Sequence, residues 1–378
     1  MGTRPQIDFT DRPKRTGQTL YIPNWMVAAA GILLVAIILV IVLIVKGCSG
    51  EQGASTGESD SGAANAQGSK SIVMTLNGSQ DTKVLAGESY VESGCHAFDP
   101  TDGDITASVQ VEGSVDADTP GDYEITYTAA NSQGETAQVT RRVHVLEDME
   151  VDTDGITVFM YHYVYTKNDA PEELNTNYIL DTDLEAQLAW LKENDYYFPS
   201  YQELYYYVKG THSLPAKSVI LTFDDAEEGF LTYGIPLLEK YQIPATSFVI
   251  CDREDAAQKV ATYASPYVTF QSHGYALHNA GTTDQGHGGV VYDMTQEEIL
   301  ADLQAARALL GTNDAFAYPY GDYNDAALEA VAEADLWAAF TTDYSQVRPG
   351  DDYRRLGRIR VFGDYSLDSF IYQAEHGE

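Results

Sequence analysis

Residues 218–225 read SVILTFDD, an apolar run of strand character that stops at two adjacent carboxylates, Asp224 and Asp225. On a regular strand neighbouring side chains point to opposite faces, so the two can share a pocket only where the strand ends. An adjacent acid pair is poorly explained as sheet structure, and it marks a strand end that carries chemistry. The same kind of run recurs on both sides of it, as ITVFMY (156–161), ATSFVI (245–250), YVTFQS (267–272), AFAYP (315–319), AAFTT (338–342) and GRIRV (357–361). Between them lie stretches of helical character, DLEAQLAWLKEN (183–194), QELYYYVKG (202–210), LTYGIPLLEKY (231–241), TQEEILADLQAARALL (295–310) and NDAALEAVAEA (324–334). Strands alternating with helices over 152–378 predict an α/β domain, a distorted and even incomplete (β/α) barrel, with its chemistry at the carboxyl ends of the strands.

Those ends carry a consistent set of polar residues. The first strand ends in Tyr161 and His162, the second in Asp224 and Asp225, the fourth in Ser272 and His273 with His278 following, and the fifth in Pro319 and Tyr320. Two histidines and a carboxylate are a common ligand set for a catalytic zinc or similar divalent ion with open positions. The second aspartate is then free to act as a base. His287 and His212 are read as solvated loop residues.

Upstream, the chain divides by composition. From Trp25 to Val45 no charge occurs, which is long enough for a helix to cross about 30 Å of hydrocarbon. Arg4, Arg12, Lys14 and Arg15 precede that run and only Lys46 follows closely, so residues 1–24 are expected in the cytoplasm, 25–46 as an uncleaved single-pass anchor, and the rest outside the cell membrane. Lys46 argues against lipidation of the nearby Cys48. Residues 47–70 have the Gly, Ser and Ala content of a flexible linker. Residues 71–147 contain short alternating runs such as YEITYTA and AQVTRRVHV, separated by DPTDGD, DTPGD and NSQG, and predict a small all-β sandwich. His96 and His144 lie in it without ligand partners at useful spacing, and read as surface or packing residues. Against 57 acidic residues stand 22 basic ones, a net charge of −35, which excludes bulk electrostatic binding to nucleic acid or anionic lipid. Cys48, Cys95 and Cys251 form no disulfide framework.

The segments LTFDDA (221–226), SHGYALH (272–278) and FAYPYG (316–321), in that order, resemble the metal-dependent polysaccharide deacetylases of carbohydrate esterase family four. The sandwich resembles the immunoglobulin-like repeats of bacterial surface proteins. The first resemblance implies that Asp224 is the general base, that Asp225, His273 and His278 hold one divalent ion, zinc by expectation, and that the Tyr320 backbone N–H binds the oxyanion. It further implies that Pro319 and Tyr320 shape the groove and that Trp337 lines an apolar wall beside it. Three features depart from the common pattern. The histidines are five residues apart instead of four, which requires irregular backbone. Ala317 stands where an arginine usually partners the catalytic aspartate, leaving Arg358 or Arg360 to supply that charge, and the last strand has no histidine. Together with FMYHYV (159–164), these departures are similar to the subgroup that deacetylates poly-β-1,6-N-acetylglucosamine, in which His162 would be the general acid, with an unperturbed pKa near 6.5 suiting neutral pH. The expected substrate is thus an acetylated, N-acetylglucosamine-containing surface polysaccharide. The alternatives are peptidoglycan strands or chitin oligomers as substrate, or a surface glycan-binding protein with a decayed site. Adjacent aspartates do not suit glycoside hydrolysis, whose two carboxyl groups flank a bond at least about 5 Å apart.

Overall fold

In the computed structural model, which describes residues 72–377, seven strands come first: β1 (Val73–Leu76), β2 (Asp81–Leu85), β3 (Cys95–Asp99), β4 (Gly103–Asp104), β5 (Gln110–Glu112), β6 (Gly121–Ala130) and β7 (Thr136–Leu146). They form two sheets, ordered β1-β3-β4 and β2-β7-β6-β5. Alternation along β6 and β7 turns Ile125, Tyr127, Ala129, Val143 and Val145 inward, where they pack with Met74, Leu76, Val84, Cys95 and Ala97. Cys95 and Cys251 are free and buried.

The second half is built on a seven-stranded, wholly parallel sheet. Its members are β8 (Thr157–Tyr161), β11 (Val219–Phe223), β12 (Ala245–Val249), β13 (Val268–Ser272), β14 (Ala315–Ala317), β15 (Ala338–Phe340) and β16 (Ile359–Arg360). Their spatial order is β15-β14-β13-β12-β11-β8-β16. The strands β8, β11 and β12 are buried along their whole length, because helices cover one side and the curled interior the other. A closed barrel does not form. The last three strands are only three, three and two residues long, and between β15 and β16 there is one isolated bridge, Phe340 to Leu356. The expected run AAFTT pairs only as far as Phe340, after which Thr341 N–H donates to Leu356 O and the chain leaves the ladder. The domain is therefore a curled parallel half-barrel. Each helix-like stretch contains a helix, and the capping boxes Ser200/Glu203 and Thr295/Glu298 start two of them. Two further strands, β9 (Tyr163–Tyr165) and β10 (Tyr178–Leu180), pair in parallel just beyond β8.

The sandwich is joined to the amino ends of the half-barrel strands, away from the acid pair. Thr75 Oγ1 donates to Ser265 O at 2.6 Å, His96 Nε2 meets the Asp314 carboxylate at 2.5 Å, and Ser93 and Ser200 share a hydrogen bond of 2.7 Å. His96 is thus an interface residue, while His144 pairs with Asp122 on the surface. His212 is not a solvated loop residue: its side chain is buried between Glu88 of the sandwich and Glu203 of the half-barrel. Among the described residues no helix is long and apolar enough to cross a membrane, and the expected anchor, linker and Cys48 lie outside them.

Candidate active site

The first strand of the half-barrel delivers His162, the second Asp224 and Asp225, and the fourth His273, all at their carboxyl ends. Asp225 and Ala226 leave β11 with φ of 73° and 50°, a left-handed turn that ordinary residues adopt at a cost of about 1–3 kcal/mol. The turn breaks the alternation, so the two carboxylates reach one site. The loop after β13 is irregular, and it brings both histidines to one aspartate oxygen: His273 Nε2 lies 3.5 Å and His278 Nε2 3.4 Å from Asp225 Oδ1. One ligand atom from each of the three residues falls within 4.8 Å of the others.

These residues fit a divalent ion on their own chemistry. The His273 Nδ1 is 2.8 Å from Ala317 O, to which it donates, so its Nε2 carries the lone pair that a ligand needs. Burial pushes the His273 pKa below its ordinary value and outweighs the pull of Asp224 and Asp225, which keeps the ring neutral. Burial would raise the Asp225 pKa, but the hydrogen bond to His278 and the neighbouring His273 and His162 hold it well below the usual carboxylate range. Tyr163 Oη donates to the other Asp225 oxygen, Oδ2, at 2.9 Å.

Asp224, 2% exposed, is held differently. Arg358 Nη1 and Nη2 donate to its two oxygens at 2.7 Å each, and the same guanidinium reaches Thr222 Oγ1 and Thr341 O. Burial disfavours the charged carboxylate, yet Arg358, His273 and His162 together leave its pKa below the ordinary value. Arg358 thus takes the place beside the aspartate that Ala317 cannot fill. It is fully buried, so it does not line a substrate pocket as expected. Arg360 bonds the Asn177 side chain and lies over the Phe362 ring, 5.4 Å from its centroid. Trp337 is also displaced from its expected wall. It precedes β15 at the amino end of that strand, where its ring packs on Tyr205 and Tyr206. His287 stays in an exposed loop, its Nδ1 3.0 Å from the Asp322 carboxylate.

His162 is half-buried, with its ring edge-on to Tyr163 at 5.7 Å. Burial lowers its pKa below 6.5, more than Asp224 and Asp225 raise it, which corrects the expectation of an unperturbed value. Tyr320 has φ 61° and ψ −1°, follows the buried Pro319, and sets its ring 4.8 Å from that of His278. Its hydroxyl donates to His278 O at 2.9 Å, tying the two loops together. The contacts of Tyr163 with Asp225 and of the Ala317 carbonyl with His273 are not foreshadowed by the motifs. The first could have been suspected from the aromatic cluster YHY (161–163), but a carbonyl has no residue signature.

The family model for polysaccharide deacetylases matches residues 211–339, and that for the Ig-like domain of bacterial surface proteins matches residues 74–145. His162 and Arg358 fall outside the first match. The poly-beta-1,6-N-acetyl-D-glucosamine N-deacetylase of Staphylococcus aureus (strain MSSA476) is 27% identical over 222 residues, covering 54% of this chain and 75% of the relative. The protein of the same name from Staphylococcus epidermidis is 28% identical over 209 residues, 51% of this chain and 71% of the relative. Among solved structures, Streptococcus pyogenes deacetylase PplD in complex with acetate superposes with a TM-score of 0.50 at 24% identity, over 58% of this chain and 98% of that one, a likeness of fold. The chain thus carries a polysaccharide deacetylase domain with an Ig-like domain upstream of it.

Proposed function

We propose that this protein removes N-acetyl groups from an N-acetylglucosamine-containing surface polysaccharide of the poly-β-1,6 type, using one divalent ion, zinc by preference, and that a 25–46 anchor holds it outside the cell membrane. The observation that carries the chemistry is the convergence of Asp225, His273 and His278 beside an Arg358-held Asp224 on one rim of the half-barrel. The relatives' names support the substrate. Asp225, His273 and His278 would hold the ion, which supplies an acidified water and a polarised acetyl carbonyl when bound.

The protein's own groups do the rest. Asp224, charged and buried, takes the proton of the attacking water, and its carboxylate is oriented for this by the Arg358 fork. The Tyr320 N–H donates to the oxyanion, and its left-handed backbone is set before substrate arrives. The scission breaks the amide C–N bond, and the leaving amine needs a proton. His162 supplies it: the ring is neutral at rest, takes up a proton from solvent as negative charge develops in the site and raises its proton affinity, and passes that proton to the amine nitrogen. Acetate release from poly-β-1,6-N-acetylglucosamine, peptidoglycan strands and chitin oligomers tests the reading. His162→Ala is expected to lower turnover on the first by about 10²-fold to 10⁴-fold with metal content unchanged. Near-normal turnover by a folded, metal-loaded His162→Ala protein would remove the acid role, and preference for another glycan would remove the substrate.

A further inference from the structure

Asp225 offers its two oxygens to different partners. Oδ1 faces the two histidine Nε2 atoms, at 3.5 and 3.4 Å, while Oδ2 accepts the Tyr163 hydroxyl at 2.9 Å. We propose that Tyr163 is a positioning residue for the metal centre, and that by occupying Oδ2 it confines Asp225 to one-oxygen ligation. This rests on the metal-site reading above and deepens it.

The placement of Tyr163 is built into the fold. One residue past β8 the chain re-forms as β9, whose residues Tyr163 and Val164 pair with Tyr178 and Ile179 of β10. The Tyr163 ring packs on Tyr178 at 4.7 Å and meets His162 edge-on. Val164 is buried, and the turn after Asp225 closes on it: a Cβ at Gly229 would collide with the Val164 carbonyl. Gly229 therefore lets the segment that carries Asp225 lie directly against the segment that carries Tyr163. The left-handed φ of Asp225 then directs its carboxylate between the hydroxyl and the histidines. A carboxylate free to bind through both oxygens would fill a position that water and the acetyl oxygen need, so a donor on the second oxygen protects the open positions of a catalytic site.

Tyr163→Phe removes only the hydroxyl and keeps the ring on Tyr178. Loss of such an outer partner typically weakens metal binding about 10-fold to 100-fold. That weakening is expected in zinc competition against a chromogenic chelator. Cobalt-loaded Tyr163→Phe protein is also expected to show weaker visible absorption than wild type, because a second carboxylate oxygen raises the coordination number. Val164→Ala loosens the same strand without touching Asp225, and should leave affinity and spectrum as in wild type. Unchanged affinity and spectrum in Tyr163→Phe, or an equal change in Val164→Ala, would overturn the positioning role while leaving the metal site in place. A wild-type protein that binds no zinc would overturn both.

Discussion

Among the described residues two arginines are fully buried, one in the sandwich and one in the half-barrel, and they are held in opposite ways. Arg141 of the sandwich donates to three backbone carbonyls, Ser79, Asn77 and Gly94, and to the Thr82 and Tyr127 hydroxyls. Every one of its acceptors is neutral, and together they tie the β1–β2 and β2–β3 loops to strands β2 and β6. Arg358 of the half-barrel places two donors on one carboxylate, Asp224, which sits beside three other titratable residues of the rim. The first charge organises backbone and the second tunes an acid. Burial alone does not separate structure from chemistry, whereas the identity of the partner does.

Arg358→Met should have the largest effect. It strands a buried carboxylate, a change that typically costs about 3–5 kcal/mol, and it also leaves Asp224 protonated and unable to serve as a base, which lowers turnover by about 10²-fold or more. Thermal melting and acetate release would both report it. Wild-type behaviour in either would show that the pair is no more functional than the Arg141 cage.

The pH dependence of that cost has a definite sign. In the native protein the Asp224 pKa lies below its unfolded value of about 3.9, so the group contributes stability above that pH and loses it as pH falls through the folded value. Without Arg358, burial raises the folded pKa above the unfolded one, and stability is lost as pH rises from about 4. The penalty of Arg358→Met, read from denaturant midpoints, should therefore be smaller at pH 5 than at pH 8. A penalty independent of pH would mean that Asp224 is not the group left unpaired.

Arg141→Met should cost less, about 2–3 kcal/mol for carbonyls left without donors, and turnover of the folded protein should stay within about twofold. A loss of activity as large as that of Arg358→Met would erase the distinction.

Much of this was legible in the sequence because it rests on local pattern. The alternation of apolar runs and amphipathic stretches gives the parallel architecture, and the acid pair at the end of SVILTF marks the rim. What could not be read depends on distant segments meeting. Arg358 and Asp224 are 134 residues apart, and nothing local distinguishes Arg358 from Arg360; only the curl of the sheet decides which one points inward. The family resemblance puts Trp337 beside the site, but the residue precedes its strand and so falls at the opposite end. Closure of the barrel failed on strand length, since the residues after Phe340 bond to Leu356 instead of extending a ladder. His212 reads as a loop histidine, and its burial follows only from the docking of the sandwich.

Metal-dependent N-deacetylation at one rim of the half-barrel is the proposal to test. The most direct measurement is acetate release from poly-β-1,6-N-acetylglucosamine by the wild-type protein, by the same protein stripped with chelator, and after return of one equivalent of zinc, with Asp225→Asn alongside. Stripping is expected to abolish release, one equivalent to restore it, and Asp225→Asn to stay inactive. Full activity of metal-free protein, or equal restoration of Asp225→Asn, would contradict the proposal.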